Sequence, residues 1–337
     1  FFAATYIPKN SRPGMAGLMD LLPRVAEVWK TKRSDLLDTG ERVKAALQKY
    51  TQTASGDASE NLMNNAVLNN AYQHLAGIYD DKYGGFGRAP KFPSPHNFLF
   101  LLRYWQASGE KNALNMVAQT LTRMRQGGMY DQIGLGFHRY STDEKWLVPH
   151  FEKMLYDQAM LALAYLEAFQ ATGAKIFSQT TKEIFEYVLR DMTAPQGGFY
   201  SAEDADSEGK EGKFYLWTLD EITSLLGDNA RLAIDSYQLK TGGNFFDPLE
   251  QRFTGENIPH LNQPPDKLDP TLESIRLTLF DHRVKRIHPH KDDKILTDWN
   301  GLMLAALARG YQILQEPAWL DAARQSAAFI NQHLTTA

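Results

Sequence analysis

Apolar residues recur at helical spacing along most of the chain, in two patterns that alternate. The helix predicted over residues 175–192 has one apolar stripe, which includes Phe177 and Ile184, opposite a charged face. Such a helix covers a core from outside. The preceding helix, predicted over residues 149–172, is apolar on nearly all sides and is therefore expected to be buried on most of them. The alternation predicts an inner and an outer layer of helices.

The same order, an inner helix followed by an outer one, recurs on both sides of this pair. An inner helix is predicted to begin at Ser94, before an outer helix over residues 111–126. Another is predicted to begin at Thr297, before an outer helix over residues 317–334. Hairpins of this kind form an α/α toroid, in which the starts of the inner helices gather at one end. The predicted fold class is all-α, an incomplete (α/α)6 toroid, with an open helical array or a solenoid as the alternative.

Two segments depart from the helical pattern. Residues 1–50 are predicted to form a strand and a long, interrupted helix, the C-terminal remnant of an α/β domain. A linker rich in Ser, Thr, Gly and Ala is predicted at residues 51–59, and the partial toroid over residues 60–337. In the second segment, residues 199–217, two aromatic runs flank an acidic stretch and predict a β-hairpin with an acidic tip.

The composition of the 337-residue chain excludes several kinds of partner and chemistry. The formal net charge is −4 and no block is rich in Lys and Arg, so nucleic acid is not an expected partner. No apolar run reaches the roughly 18 residues that cross a bilayer, so no membrane partner is expected, and a cytoplasmic location is predicted. The lack of cysteine excludes disulfides, Cys-ligated zinc and thiol nucleophiles from this stretch. No cofactor is predicted, and the oligomeric state is left open.

Polar residues concentrate in the loops before the predicted inner helices, where remote parts of the chain would converge. In the first group, the catalytic candidates are His138, Arg139, His150 and Asp157, and the binding candidates are Tyr140, Trp146, Glu152 and Lys153. His150, Lys153 and Asp157 are spaced by three and four residues and are expected to share one helix face. Polar residues on a buried helix need partners or a wet cavity. The alternative is therefore a buried network that closes the ring end.

The acidic stretch forms the second group. Glu203 is a catalytic candidate and Asp204 and Asp206 are binding candidates, because repulsion between close carboxylates raises the pKa of one and separates an acid from a base. The spacing from Asp204 also matches the first half of a calcium-binding EF-hand loop, but position twelve is Tyr215 and the flanks look like strands. No metal site is therefore predicted, and a solvated turn is the alternative.

The third group lies where the last inner helix is predicted to begin. Asp298 is a catalytic candidate, with a helix-capping role as its alternative, and Trp299 and Asn300 are binding candidates. Trp217, at the end of the predicted hairpin, joins Trp146 as an aromatic binding candidate. Flat apolar faces beside carboxylates and amides suit a pyranose ring and its hydroxyls, whereas packing at the ring end is the alternative. A small-molecule sugar is thus the expected ligand.

Several motifs are specific enough to compare with a known family. They are GGFGRAPKFP at residues 84–93, GFHRY at 136–140, PHFEKMLYDQ at 149–158, SAEDADS at 201–207 and DKILTDWNG at 293–301. Together they resemble the YyaL-like family, the spermatogenesis-associated thioredoxin-domain-containing proteins, over nearly the whole chain.

The resemblance implies a thioredoxin-like domain, of which residues 1–50 would be the end, followed by a six-hairpin toroid. That toroid is related to N-acylglucosamine 2-epimerases and several glycosidases. The resemblance also implies a cysteine motif before Phe1 and further hairpins beyond Ala337. The lack of cysteine would then exclude redox chemistry from this stretch alone.

The leading hypothesis is a carbohydrate-active toroid in a thioredoxin-domain-containing protein. In an epimerase or isomerase, His138 or His150 would move a proton next to a carbonyl, while Arg139 would stabilise the oxyanion. In a glycosidase, the acid and base candidates are Asp157, Glu203 and Asp298. The alternatives are a binding module without turnover and a non-catalytic scaffold that presents a substrate to the thioredoxin-like domain. A scaffold predicts an apolar or plugged ring end, and an enzyme an open, acidic one lined by Trp.

Overall fold

The first unit of the chain is helical over most of its described residues. The computed structural model describes residues 7–12, 15–54, 65–247 and 250–334. The chain divides into two units, Phe1–Val67 and Leu68–Ala337. In the first unit, α1 (Leu18–Thr31) and α2 (Arg33–Ala54) match the predicted helix with its interruption. The predicted strand and linker lie largely outside the described residues, so the domain limits stay a prediction.

The rest of the chain consists mainly of helices joined by loops and very short strands. The helices are α3 (Asn65–Gly77), α4 (Pro95–Ser108), α5 (Lys111–Gln126), α6 (Leu155–Thr172), α7 (Lys175–Asp191), α8 (Leu219–Leu226), α9 (Ala230–Ser236), α10 (Thr271–Arg283), α11 (Thr297–Leu314) and α12 (Pro317–His333). Among the described residues, no helix combines the length and the apolar composition that a bilayer crossing requires.

The helices of the second unit form two layers. The inner helices α4, α6 and α11 lie side by side with α6 in the middle, and each packs against the outer helix that follows it, α5, α7 or α12. The main hydrophobic core fills the space between the layers, where Phe98, Leu161 and Met303 of the inner helices and Val117 and Ile184 of the outer helices are buried. This architecture is a partial α/α toroid, which confirms the predicted fold class.

A second, smaller core lies under α8, α9 and α10, between the second and third of these hairpins. Trp217, Ile222, Ala233 and Leu279 are buried in it. The last of these helices, α10, ends at Arg283, whose side chain returns to the ring end and forms an ion pair there. Helices α8, α9 and α10 thus form an insertion between two hairpins, and an ion pair as well as apolar packing holds this insertion to the toroid.

Short strands tie the loops at the ring end together. They are β1 (Tyr140–Ser141), β2 (Pro149–His150), β3 (Lys153–Met154), β4 (Ala202–Glu203), β5 (Asp206–Ser207), β6 (Lys210–Glu211), β7 (Phe246–Asp247), β8 (Arg252–Phe253) and β9 (Lys291–Asp292). Strand β4 pairs antiparallel with both β3 and β9, so Lys153, Glu203 and Lys291 lie side by side in register. Because β3 leads into α6 and β9 precedes α11, this sheet gathers the starts of two inner helices at one end.

The residues just before α6 form strands rather than helical turns. The helix predicted over residues 149–172 begins only at Leu155, because the residues before it pair as β2 and β3. His150 and Lys153 lie on those strands, so the prediction that they share a helix face with Asp157 is wrong. Pairing with β1 and β4 satisfies the backbone of this stretch. The tertiary pairing thus overrides the helical spacing.

The β-hairpin predicted over residues 199–217 is shorter than expected. The acidic stretch itself forms it, as β5 and β6 around a two-residue turn at Glu208 and Gly209. Both turn residues have positive φ, 52° and 74°, as a type I′ turn requires. Phe214 and Tyr215, expected on the second strand, are instead buried in a small core of their own.

Asn300 clamps the start of α11 to the loop after α7. Its Oδ1 accepts from the Phe199 N–H at 2.7 Å, and its Nδ2 donates to the carbonyls of Phe199 and Leu296, both at 2.9 Å. Asn300→Ala leaves a buried N–H without its partner, which is expected to lower the free energy of unfolding by about 1–3 kcal/mol. Chemical denaturation measures the loss. Asn69→Ala, which removes an exposed bond to Tyr104, is the control, and equal losses in both variants would contradict the clamp.

Candidate functional site

A connected group of charged side chains lies at the ring end, before the start of α6. We call Arg139, His150, Glu152 and Glu211 the rim cluster. Glu152 Oε2 accepts from Arg139 Nη1 at 2.7 Å and lies 3.2 Å from His150 Nε2, while Glu211 Oε1 lies 2.7 Å from His150 Nδ1. The side chains are partly exposed, from 24% for His150 to 43% for Glu211. The cluster can therefore meet a ligand from solvent.

Backbone pairing brings the members of the rim cluster together. The pairing of β1 with β2 places Tyr140 opposite His150, and the two-residue turn returns β6 so that Glu211 faces the imidazole. Gly212 follows with φ 76°, and a Cβ there would lie 2.5 Å from the Phe151 ring. Glycine is therefore required at this position.

The carboxylates around His150 set its charge. Burial alone would lower the pKa of His150, but the hydrogen bond and charge of Glu211, joined by Glu152, raise it above its ordinary value. The same hydrogen bond lowers the pKa of Glu211. The two carboxylates thus favour the protonated imidazole, which can donate from both ring nitrogens.

Acidic side chains of the hairpin complete the charge around the rim. Partial burial and the neighbouring carboxylates of Asp204 and Glu211 raise the pKa of Asp206, while His150 opposes them. Asp204 is exposed, and its Oδ1 accepts from the Asp206 N–H at 3.1 Å. Asp204 thus shapes the turn as well as carrying charge. The predicted acidic ring end corresponds to this part of the structure.

Asp157, in the first turn of α6, is a buried carboxyl beside the rim cluster. Its residue is 6% exposed, and its Oδ2 has no hydrogen-bond partner. Burial raises the pKa of Asp157 to about 8, against the opposing charge of Arg139. At pH 7 the carboxyl is therefore mainly neutral. Arg139 Nε is likewise buried without a partner.

Aromatic rings lie beside the rim cluster. The Tyr140 ring stacks on Phe92 with centroids 4.7 Å apart and lies 5.0 Å from the His150 ring on another side. Phe92 is 52% exposed. Trp299 is half-buried and packs edge-on against Tyr156 at 4.8 Å. Phe92, Tyr140 and Trp299 are thus partly exposed aromatic rings at this end.

A second group of charges lies in the interior beneath the rim. We call Asp131, Lys153, Glu203 and Arg283 the interior cluster. Asp131 accepts two hydrogen bonds from Arg283 and one from Lys153 Nζ, each at 2.8 Å. Glu203 accepts from the Tyr187 hydroxyl at 2.6 Å and forms an ion pair with Lys291 at 3.1 Å. The predicted binding residue Lys153 and the predicted catalytic residue Glu203 are thus both committed to internal partners.

His138 also belongs to the interior. Its Nδ1 lies 3.0 Å from the Phe151 carbonyl, and its ring packs edge-on against Phe151 and Tyr215. Burial, and next the charge of Lys153, lower the pKa of His138 to about 3. The ring is neutral and 2% exposed, so it is not placed to exchange a proton with a ligand. The position of His138 in the core therefore does not support the predicted catalytic role.

Several predicted binding residues are sealed inside the fold. Trp146 and Trp217 are completely buried, so neither ring presents a face to a ligand. Trp146 Nε1 donates to the carbonyls of Tyr83 and Gly84, and the Trp217 ring lies under the Arg286 guanidinium. The side-chain amide of Asn300 is already hydrogen-bonded to the backbone of Phe199 and Leu296. The structure therefore does not support binding roles for these residues: Trp146 packs at the ring end, Trp217 lies in the core under α8, α9 and α10, and Asn300 holds the backbone.

Each cluster contains residues that the sequence does not predict to be functional. Glu211 lies in the acidic stretch, for which a solvated turn is the alternative, and the sequence predicts no functional role for it. Asp131 and Arg283 are 152 residues apart in the chain, and no local pattern marks their pairing. Asp298 is exposed at the start of α11, where its Oδ1 accepts from the Trp299 N–H at 3.0 Å. Its catalytic role stays a prediction.

Relatives match the chain over almost its full length. The chain is 36% identical over 367 residues to spermatogenesis-associated protein 20 of Homo sapiens, and the alignment covers 99% of the chain and 47% of that relative. It is 33% identical over 363 residues to an uncharacterized protein of Caenorhabditis elegans, with 98% and 49% covered. The chain thus spans about half the length of the curated relatives it matches.

The N-terminal residues and the helical unit have matches of their own. The Thioredox_DsbH family, described as a protein of unknown function (DUF255), matches residues 1–48. A family 76 glycoside hydrolase from a bovine Bacteroides thetaiotaomicron strain aligns with 73% of this chain and 38% of its own, at 13% identity and a TM-score of 0.43. The match of residues 1–48 to the Thioredox_DsbH family and the match of nearly the whole chain to spermatogenesis-associated protein 20 confirm the resemblance to the YyaL-like family of spermatogenesis-associated thioredoxin-domain proteins.

Proposed function

We propose that the toroid is a carbohydrate-active module whose rim cluster performs acid–base chemistry of the sugar isomerase or epimerase type. The observation that carries the proposal is the His150 imidazole held between Glu211 and Glu152, with Arg139 bonded to the same Glu152 oxygen. An acid, a base and a fixed cation thus lie within hydrogen-bond reach of one another on a partly exposed rim. This is the set of groups that proton transfer next to a carbonyl needs.

The rim cluster suggests a role for each group. Glu152 would take the proton from the carbon next to the sugar carbonyl, and protonated His150 would donate to the carbonyl oxygen. Glu152 would then return that proton to carbon, and His150 would take one proton back from oxygen. Return to C1, with loss of the proton on O2, gives the ketose; return to the other face of C2, with loss of the proton on O1, gives the epimer. Each proton that leaves the sugar is thus replaced, and the step needs no other reactant. Arg139 would stabilise negative charge on oxygen, and Glu211 would hold the imidazole in place. The contact of Glu152 with His150, at 3.2 Å, is longer than the contact of Glu211, so a ligand would replace Glu152 there.

The glycosidase alternative is less well supported by the positions of its carboxylates. Glu203 belongs to the interior cluster and also contacts Tyr187 and Lys291, whereas Asp298 is exposed at the start of α11. The carboxyl of Asp157 is buried beside Arg139. Hydrolysis of a glycoside needs an acid and a base that face one bond from two sides. The isomerase or epimerase chemistry uses residues that already touch.

The scaffold alternative called for an apolar or plugged ring end. Partly exposed charges of both signs at the rim favour a polar ligand instead. The aromatic rings that could contact a sugar are Phe92 and Tyr140 rather than the predicted Trp146 and Trp217, because the two tryptophans are buried. A sugar presents an apolar ring face together with hydroxyls, which fits such a surface.

His150→Gln in the full-length protein is expected to lower sugar interconversion by about a hundredfold or more, because glutamine can bond to Glu211 but cannot supply a proton. The assay follows conversion of D-glucose, D-mannose, N-acetyl-D-glucosamine and cellobiose by NMR. His282→Gln is the matched control, since His282 also faces a carboxylate, Glu221 at 3.3 Å, but lies away from the rim. Interconversion that survives His150→Gln unchanged would remove the rim cluster from the mechanism.

A further inference from the structure

A donor and an acceptor are both left without partners beside the rim cluster. Arg139 Nε and Asp157 Oδ2 are each buried and make no hydrogen bond. The Arg139 side chain donates to Glu152 through Nη1, whereas its Nε–H has no acceptor. The two groups are close enough that the charge of Arg139 lowers the pKa of Asp157.

Leaving either atom unpaired costs stability, because a buried polar group loses its bonds to water. Native structures keep such groups mainly where a ligand, a water or an ion completes them. Arg139 lies just before β1, and Asp157 lies in the first turn of α6. The next residue of the helix, Gln158, brings the two segments together, because its Oε1 accepts from the Phe137 N–H at 2.9 Å and its Nε2 donates to the Phe137 carbonyl at 2.6 Å. One bound group that both accepts and donates would satisfy both of the unpaired atoms.

A hydroxyl group has this property, since its oxygen accepts while its hydrogen donates. We propose that Arg139 and Asp157 form a subsite for one hydroxyl of the sugar, in which Arg139 Nε–H donates to the hydroxyl oxygen and the hydroxyl donates to Asp157 Oδ2. This inference rests on the proposed function and adds to it the residues that select the ligand. It names hydroxyl-rich ligands, rather than phosphorylated or purely apolar ones, as the class that the subsite takes.

The rim offers a way for the hydroxyl to reach these atoms. Arg139 is 37% exposed and Glu152 is 28% exposed, although the Nε of Arg139 is covered. The contacts that hold the Glu152 carboxylate are those to Arg139 and His150, the groups that a sugar would engage. Movement of Glu152 onto the ligand would uncover the subsite at the moment of binding.

Calorimetric titration of the full-length protein with D-mannose and its 2-, 3-, 4- and 6-deoxy analogues tests the subsite. One deoxy analogue is expected to bind at least about tenfold more weakly than D-mannose, because both subsite bonds go to a single hydroxyl. Arg139→Lys keeps the charge beside Glu152 but removes Nε–H, and Asp157→Leu replaces both carboxyl oxygens by methyl groups in a similar shape. Each variant is expected to weaken D-mannose binding at least tenfold and to abolish the difference between D-mannose and that analogue.

The controls separate the subsite from the proposed function. Glu167→Gln lies on the same helix, in an exposed pair with Arg103, and is expected to bind like the parent. If D-mannose and the other sugars of the panel fail to bind the parent, the proposed function fails. If the parent binds D-mannose and both variants bind equally well with the same preference among analogues, the subsite alone is wrong, and a structural water accounts for the two atoms.

Discussion

Asp157→Asn is expected to raise the free energy of unfolding by about 4 kcal/mol at pH 7, unlike most changes to a buried polar residue. The pKa of Asp157 is about 8 in the folded protein, whereas an unfolded aspartate ionises near its ordinary value of 3.8. Below pH 4 the carboxyl is neutral in both states. As pH rises towards 8, the unfolded state gains the more stable ionised form, and the folded state loses relative stability.

Asparagine has the shape of the neutral acid but does not ionise. Urea denaturation at pH 4, 6 and 8 should therefore show a difference between Asp157→Asn and the parent that is small at pH 4 and grows towards pH 8. Asp298→Asn, at the exposed start of α11, is the control, with an expected change below about 1 kcal/mol. A variant that is less stable than the parent at pH 8 would contradict the neutral, buried state of Asp157.

This gain in stability would itself support a functional role. Functional sites typically contain residues that lower the stability of the fold, so that replacing such a residue by an isostere makes the protein more stable. Asp157→Leu, which has no oxygen to accept a sugar hydroxyl, is expected to bind D-mannose more weakly. Opposite changes in stability and binding would separate Asp157 from the residues that only hold the fold together.

Asp131→Asn is expected to lower the free energy of unfolding by about 3–5 kcal/mol. Burial opposes the charge of Asp131, but the charges of Arg283 and Lys153 prevail and hold the pKa of its carboxyl well below the ordinary range. Removing the carboxylate leaves two buried cations that face each other, at the junction between α10 and the ring end. Denaturant titration of the full-length protein measures the loss.

The control for Asp131→Asn is the loss of a carboxylate from an exposed pair. Glu167→Gln breaks the bond to Arg103 at 2.7 Å, where the arginine side chain is 65% exposed, and is expected to cost less than about 1 kcal/mol. A loss for Asp131→Asn that is no larger than this would mean that the interior cluster does not anchor the insertion to the toroid.

Long helices were predictable from the sequence because their signal repeats over many residues. The stripe on α7 and the nearly complete apolar surface of α6 extend over four turns or more, so a single misplaced residue does not hide the pattern. The two-residue strands carry no such signal. Their pairing depends on segments far apart in the chain, as when Lys153 meets Glu203, and only the folded toroid supplies it.

The loops that supply the candidate site were predictable from the sequence, but the contacts between their side chains were not. His150, Glu152 and Arg139 came from the expected stretch, whereas Glu211 joins them from 61 residues away. Aromatic residues were assigned to ligand binding by type alone. Trp146 shows why this fails, because carbonyls of Tyr83 and Gly84 satisfy its N–H and allow complete burial. Accessibility depends on long-range packing, which local patterns do not report.

Exchange of the C2 proton tests the acid–base proposal most directly. The full-length protein is incubated in D2O with D-glucose, D-mannose, N-acetyl-D-glucosamine or cellobiose, and the C2 proton is followed by NMR. The proposed chemistry predicts loss of that signal from at least one sugar, with growth of its epimer or ketose, and loss of both effects in His150→Gln. A C2 signal that stays unchanged in every sugar of the panel would contradict acid–base chemistry at the rim cluster.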